Sequence, residues 1–246
     1  MGSFFHLFAF GKFFFVFYYF VTYITQEEQK VRGYTFGGPY VYLTILAMVS
    51  FFLKIYLRYR TLIEFISKVV QIIYYAIALI NDFVPANGLK ELRNYIFASL
   101  AVPLAFETTL MYWGLVSIDR ELAFPKALDA FFPLWLDIGL HTNITIFIVL
   151  ELILEKHDYP RRSAAMRGLI VFMLSYLVWI YYVFINTGKW VYGVIEIFSA
   201  PQRILFFVIC GVVTLVLYLI GESMNKFVSG SRLEHNDDVM KKRKVK

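Results

Sequence analysis

Six apolar runs, each close to the length of a bilayer crossing, set the terms on which this chain can fold. They cover residues 8–25, 40–57, 93–116, 132–154, 166–185 and 203–224. A crossing helix needs about 20 mostly apolar residues. Lipid offers no partner to backbone N–H and C=O groups, so a spanning segment must satisfy them within itself. The expected fold is therefore all-α: a polytopic transmembrane helical bundle over 1–230, followed by a charged cytosolic tail at 231–246. A composition that is 59% hydrophobic and 17% charged excludes an ordinary soluble domain.

Six crossings put both termini on one side, and the basic residues choose the side. With cytosolic termini the inner segments hold 18 of the 24 Lys and Arg and the outer loops hold 6, the asymmetry expected of cytoplasmic loops. Seven of those basic residues lie in 226–246 beside a span, so the excess over 18 Asp and Glu reports orientation and implies no nucleic-acid partner. The first run ends at Gln26-Glu27-Glu28 without a small-residue cleavage pattern and reads as a retained helix. Cys210 is the single cysteine, so no intramolecular disulfide can form. Residues 61–83 hold only nine uninterrupted apolar residues after Gln71, and Glu64 and Lys68 stand four apart. That stretch is expected to be an interfacial or partly re-entrant amphipathic helix. A seventh span there would place the termini on opposite sides and scramble the charge asymmetry.

Ionisable groups inside these runs are the candidates for function, because a charge at membrane depth is costly enough to face a polar interior. At about 1.5 Å per residue, Thr44 lies roughly 6 Å inside the second run and His141 roughly 13 Å inside the fourth, both in the outer half. Asp137 precedes His141 by one helical turn and shares its face. Each has a plain structural reading. His141 can be a packed side chain bonded to a carbonyl, Thr44 a back-bonded hydroxyl, Glu107 a protonated acid bonded within the bundle, and Asp137 a cap at a wet helix mouth. Glu151 and Glu222, near cytosolic helix ends, are expected to be solvated beside Arg or Lys. His6, His141, His157 and His235 are scattered, without the paired His or Cys spacing of a zinc site. Asn143-Ile144-Thr145 matches a glycosylation acceptor but sits mid-span, out of a transferase's reach.

An ordered set of short motifs carries a resemblance. Gly37-Gly38 precedes Tyr42-Leu43-Thr44; Asp119-Arg120-Glu121 precedes Pro125-Lys126; Trp135-Leu136 leads to His141-Thr142. Tyr159-Pro160 with Arg162-Ser163, Gly188-Lys189-Trp190-Val191-Tyr192, and Tyr218-Leu219 with Gly221-Glu222 follow. Over residues 37–225 this set resembles the androgen-induced and androgen-dependent TFPI-regulating protein family, multispan membrane proteins that include hydrolases of fatty acid esters of hydroxy fatty acids. The resemblance implies a catalytic pair, Thr44 as nucleophile and His141 as its base, with a lipid ester as substrate and no metal or organic cofactor. Asp137 would orient the His141 ring as the third member of a triad does. Asp137 stands where the resemblance would put an amide, and Glu107 where it would put an apolar residue.

Two other classes fit the same runs: a non-catalytic lipid-binding or regulatory membrane protein, and a transporter, for which Pro103 and Gly139 are the available helix-breaking residues. Lysines third and fifth from the end, Lys244 and Lys242, resemble a dilysine retrieval signal and point to the endoplasmic reticulum, with the plasma membrane as the alternative.

Overall fold

The computed structural model describes residues 2–20, 62–120, 133–188, 190 and 193–244, and the regular structure among them is entirely helical. In chain order the helices are α1 (Gly2–Tyr19), α2 (Leu62–Phe83), α3 (Asn87–Ile96), α4 (Val102–Ile118), α5 (Leu134–His141), α6 (Asn143–Leu154), α7 (Arg162–Thr187), α8 (Gly193–Glu196) and α9 (Ala200–Lys244). The run at 40–57, and Thr44 with it, lies outside the described residues.

Side-chain contacts give the directions. α1 runs antiparallel to α2, since His6 meets Asp82 while Phe13 stacks on Tyr75. α2 runs antiparallel to the α3–α4 rod: Tyr74 packs on Phe97, Gln71 Nε2 donates to Ala101 O at 2.9 Å, and Ser67 Oγ donates to Leu104 O at 3.3 Å. α4 pairs in turn with α6, through Thr145 and Ala105, and with α9, through Glu107 and Thr214. One end of the bundle thus collects His6, Asp82, Glu151, Arg162 and Glu222, and the other collects Tyr19, Trp135 and His141. The start of α1 and the Glu222 turn of α9 lie at the same end.

Four helical rods, Ile66–Phe83, Asn87–Ile118, Arg162–Asn186 and Ala200–Gly230, are long and apolar enough to cross a membrane. The pair Leu134–His141 and Asn143–Leu154 makes a fifth if its 48° bend is taken within one crossing. Their outward faces are apolar, with Val171, Leu174 and Val178 on α7 and Ile204, Leu205 and Val208 on α9 all exposed. Lipid, as apolar as these side chains, is the solvent that accepts such a surface.

The segment 61–83 departs from the interfacial expectation. Ser67, Lys68, Gln71, Tyr74, Tyr75 and Ala78 recur at helical spacing and are all buried, so this face packs inside the bundle rather than on a headgroup layer. The short apolar run after Gln71 understated its reach, because the polar groups before it bond to α4 instead of to water. Pro103 has no N–H for the carbonyl one turn back, and the preceding turn, Phe97–Ala101, is a π-helix in which Val102 N–H reaches Phe97 O. Gln71 donates to Ala101 O, the last carbonyl of that π turn, and Ser67 donates to Leu104 O, just beyond Pro103.

The predicted fourth span is broken at Thr142 into α5 and α6. α7 stops where Gly188 takes φ +68°, a left-handed cap that a Cβ would disfavour. α9 runs through to Lys244, so the charged tail expected as a separate segment continues the last helix.

Candidate functional site

The break at Thr142 frees the carbonyl of His141: the amide that would have reached it, Thr145 N–H, bonds to Thr142 O instead. An orphan carbonyl at membrane depth needs a donor, and α4 supplies one. Thr109 Oγ1 donates to His141 O at 2.5 Å, and the Thr109 and Thr145 hydroxyl oxygens lie 2.7 Å apart. Thr145 Oγ1 returns to Ala105 O at 2.8 Å, and Trp113 Nε1 donates to Thr142 Oγ1 at 3.0 Å. The kink is therefore clamped against α4, and His141 is set at its apex.

Among the described residues, Asp137 and Tyr112 hold the imidazole. Its Nδ1 lies 2.9 Å from Asp137 Oδ1 and 2.9 Å from Asp137 O. The Tyr112 ring lies parallel to it, with centroids 3.5 Å apart and planes 4° from parallel. Tyr112 Oη donates to the same Asp137 Oδ1 at 2.6 Å. Both neighbours of Nδ1 are acceptors, so Nδ1 carries the proton and Nε2 is the basic nitrogen of the neutral ring. Such a ring can accept a proton at Nε2, while the carboxylate behind Nδ1 stabilises the imidazolium that results. His141 is 3% exposed and the Asp137 side chain 13%, so this electrostatic pairing works in a medium poorer in water than the surface.

The structure thus brings together Asp137 and His141 as their spacing predicts and adds Tyr112 and Thr109. Tyr112 could be sensed in the sequence only as a tyrosine in an apolar helix whose hydroxyl needs a partner; which partner depends on helix pairing. Glu107 is buried on the α9 side of α4, bonded to Thr214 Oγ1 at 2.8 Å, as the bonded-acid reading expects. Glu222 pairs with Arg162 at 2.6 Å and Lys226 at 3.2 Å at the bundle end, again as expected.

Glu151 corrects the expectation of a solvated carboxylate. Its side chain is fully buried and receives Tyr74 Oη, while His6 Nε2 lies 3.1 Å from both of its oxygens. His157 Nε2 stands 3.4 Å from Oε1, and its ring stacks on Phe97 at 3.7 Å. In the loop after α6, burial pushes His157 below the ordinary histidine range, against the pull of Glu151. Beside it, the Lys90 ammonium at 2.7 Å holds Asp158 below the usual carboxylate range. The signal for this second cluster was Glu151 itself, an acid inside an apolar run that demanded a cationic partner. Among the described residues no group of three or more His, Cys, Asp or Glu is arranged to hold a metal ion.

Comparison with known proteins adds an independent line. The family described as FAR-17a/AIG1-like protein matches residues 1–226. The androgen-dependent TFPI-regulating protein of Mesocricetus auratus is 28% identical over 233 residues, covering 92% of this chain and 91% of its own. The androgen-induced gene 1 protein of Homo sapiens is 32% identical over 180 residues, 68% of this chain and 76% of its own. A UPF0641 membrane protein of Schizosaccharomyces pombe is 22% identical over 158 residues, covering 63% and 70%. No solved structure matches the chain.

Proposed function

The chain belongs to the FAR-17a/AIG1-like family of membrane proteins, and from that premise and the geometry around His141 we propose that it is a membrane-embedded carboxylic ester hydrolase acting on the branch ester of fatty acid esters of hydroxy fatty acids. Thr44 Oγ attacks the ester carbonyl and its proton passes to His141 Nε2. The acyl–oxygen bond then breaks, the leaving alkoxide takes that proton and departs as the hydroxy fatty acid. Water, deprotonated by the same nitrogen, hydrolyses the acyl-threonine and restores both groups. Asp137 orients the ring and stabilises its charged form, and Tyr112 holds the Asp137 carboxylate.

The observation that carries this reading is Nδ1 of a buried histidine placed between two acceptors of Asp137, which directs basicity to Nε2. The substrate enters sideways from the bilayer, with its chains between helices and its ester at the polar layer. We place the bundle end shared by the start of α1 and the Glu222 turn in the cytosol, with α1 crossing beside the apolar rods and His141 in the outer half of an endoplasmic reticulum membrane.

The rival is a non-catalytic regulatory protein, a reading favoured by the regulatory name of the hamster relative. Purified protein is assayed on a fatty acid ester of a hydroxy fatty acid beside Thr44→Ala and His141→Ala at matched expression. Activity in the wild type that either substitution abolishes supports the hydrolase. Full activity in either variant refutes the pair mechanism, and an inactive wild type that binds lipid supports the rival.

A further inference from the structure

The His6 cluster lies at the opposite end of the bundle from His141 and takes no part in the proposed reaction. Both ring nitrogens of His6 face carboxylates: Nδ1 is 2.6 Å from Asp82 Oδ2 on α2, and Nε2 is 3.1 Å from both oxygens of Glu151 on α6. The ring is fully buried. A neutral imidazole has one N–H and can donate to only one of these carboxylates, leaving the other facing a lone pair without water to relieve it. With one more proton, both contacts become charge-assisted hydrogen bonds.

We propose that His6, Asp82 and Glu151 form a proton-binding site that latches α1 to the bundle, closed when the proton is bound and released when it is lost. The site joins three helices distant in sequence, and α1 contributes no second ion pair among the described residues; Lys12 on the same helix lies over the Phe147 ring at 4.5 Å. The groups that face the site set the charge it needs. Asp82 and Glu151 supply two negative charges, Glu155 acts on His157 and lies against Gly2, Arg93 from α3 acts on Tyr74 and His157, and the protonated His6 offsets part of the acidic excess. Tyr74 donates to Glu151, and burial lowers the proton affinity of His157, so neither takes over the His6 proton. Burial of the ring opposes its charge, but a carboxylate at each ring nitrogen, at 2.6 and 3.1 Å, favours the doubly protonated ring over the neutral one. The direction follows: a group whose proton affinity is higher folded than unfolded stabilises below the unfolded value and loses that contribution as pH rises through the folded one.

The latch acts at a distance on the other end of α1. Val16 packs with Leu136 and Leu140 beside His141, so release at His6 frees the helix that forms this wall. The latch stands whether or not His141 does chemistry.

Full-length protein in lipid nanodiscs, labelled on its histidine rings, is examined by nitrogen NMR, and α1 amide exchange is followed against pH after correction for intrinsic rates. One doubly protonated ring should persist at about pH 7.5, above the ordinary histidine value. It should be absent from His6→Gln, and protection of residues 2–19 should fall as that ring titrates while protection in α7 does not. In Asp82→Asn, which keeps Glu151 in place, both changes should move to lower pH. The proposal is overturned if no ring remains doubly protonated at that pH, if α1 protection is flat while the ring titrates, or if Asp82→Asn leaves the midpoint where it was. If His6→Gln fails to fold, the wild-type and Asp82→Asn titrations alone decide.

Discussion

Replacing Asp137 with asparagine tests the organisation of the His141 site at a single atom. Asparagine keeps the size and the helix position but removes the negative charge 2.9 Å from Nδ1. Two holdings survive: the main-chain carbonyl of residue 137, also 2.9 Å from Nδ1, and the Tyr112 ring stacked at 3.5 Å. The proton therefore remains on Nδ1 and the ring stays in plane. What disappears is the charge-assisted part of the bond, about 1.5–3 kcal/mol for a hydrogen bond to a charged group, and it is felt most when the ring becomes imidazolium. At 1.36 kcal/mol per decade, kcat should fall by about 10- to 100-fold. That is well short of the roughly 10⁴-fold loss when an aspartate-to-asparagine change also yields the wrong tautomer. The assay is steady-state ester hydrolysis by purified protein, with kcat and KM separated and thermal midpoints matched. Tyr112→Phe, which loses the 2.6 Å bond to Asp137 and keeps the ring, should cost less, about fivefold for a bond of about 1 kcal/mol. Unchanged kcat in Asp137→Asn, or a larger loss in Tyr112→Phe than in Asp137→Asn, would refute the reasoning that the carboxylate acts on the charged ring.

Other perturbations test the bundle itself. Glu151→Gln removes a buried charge that faces His6 and His157 and should destabilise by about 3–5 kcal/mol, the range for breaking a buried pair; a thermal midpoint equal to wild type would contradict the observed burial. Gly221→Ala places a methyl 2.5 Å from Val102 Cγ1 and should force α9 away from α4 at a cost of about 1–3 kcal/mol, read as a lowered midpoint in detergent. Because burial lowers the His157 proton affinity, the unfolded chain binds more protons below about pH 6.5, so stability should fall as pH drops through that value. His157→Gln should flatten this acid limb, and an unaltered limb would assign it elsewhere. Lys90→Ala breaks a pair exposed by half on both partners and should change stability by no more than about 1 kcal/mol, checked by the same melting curve.

Local pattern carried a large part of the outcome. Apolar runs of crossing length require helices, and the α3–α4 rod, α7 and α9 contain their predicted runs. A four-residue spacing on a helix brings two side chains together, so Asp137 and His141 meet as read. Glu222, near a run's end and rich in nearby bases, found the surface partners expected of it. These results depend only on the geometry of one helix and the chemistry of its immediate neighbours.

Contacts between helices were decided elsewhere. The residues that meet at Glu151 come from positions 6, 74 and 157, separated by up to 145 positions, and no periodicity in one helix says which others will face it. Residues 61–83 looked too polar to lie inside because hydropathy counts Ser67 and Gln71 as costs; once the α3–α4 rod packs alongside, their donors find the carbonyls of Leu104 and Ala101 inside the bundle. Tyr112 likewise became part of the His141 site only when α4 packed beside α5. The sequence by itself determined that this chain is helical, membrane-bound and burdened with ionisable groups at depth, because those properties follow from solvent and chain geometry. Which group answers which was left to tertiary packing, since a buried charge is settled by whatever partner arrives within about 3 Å, and only the arrangement of helices supplies that distance.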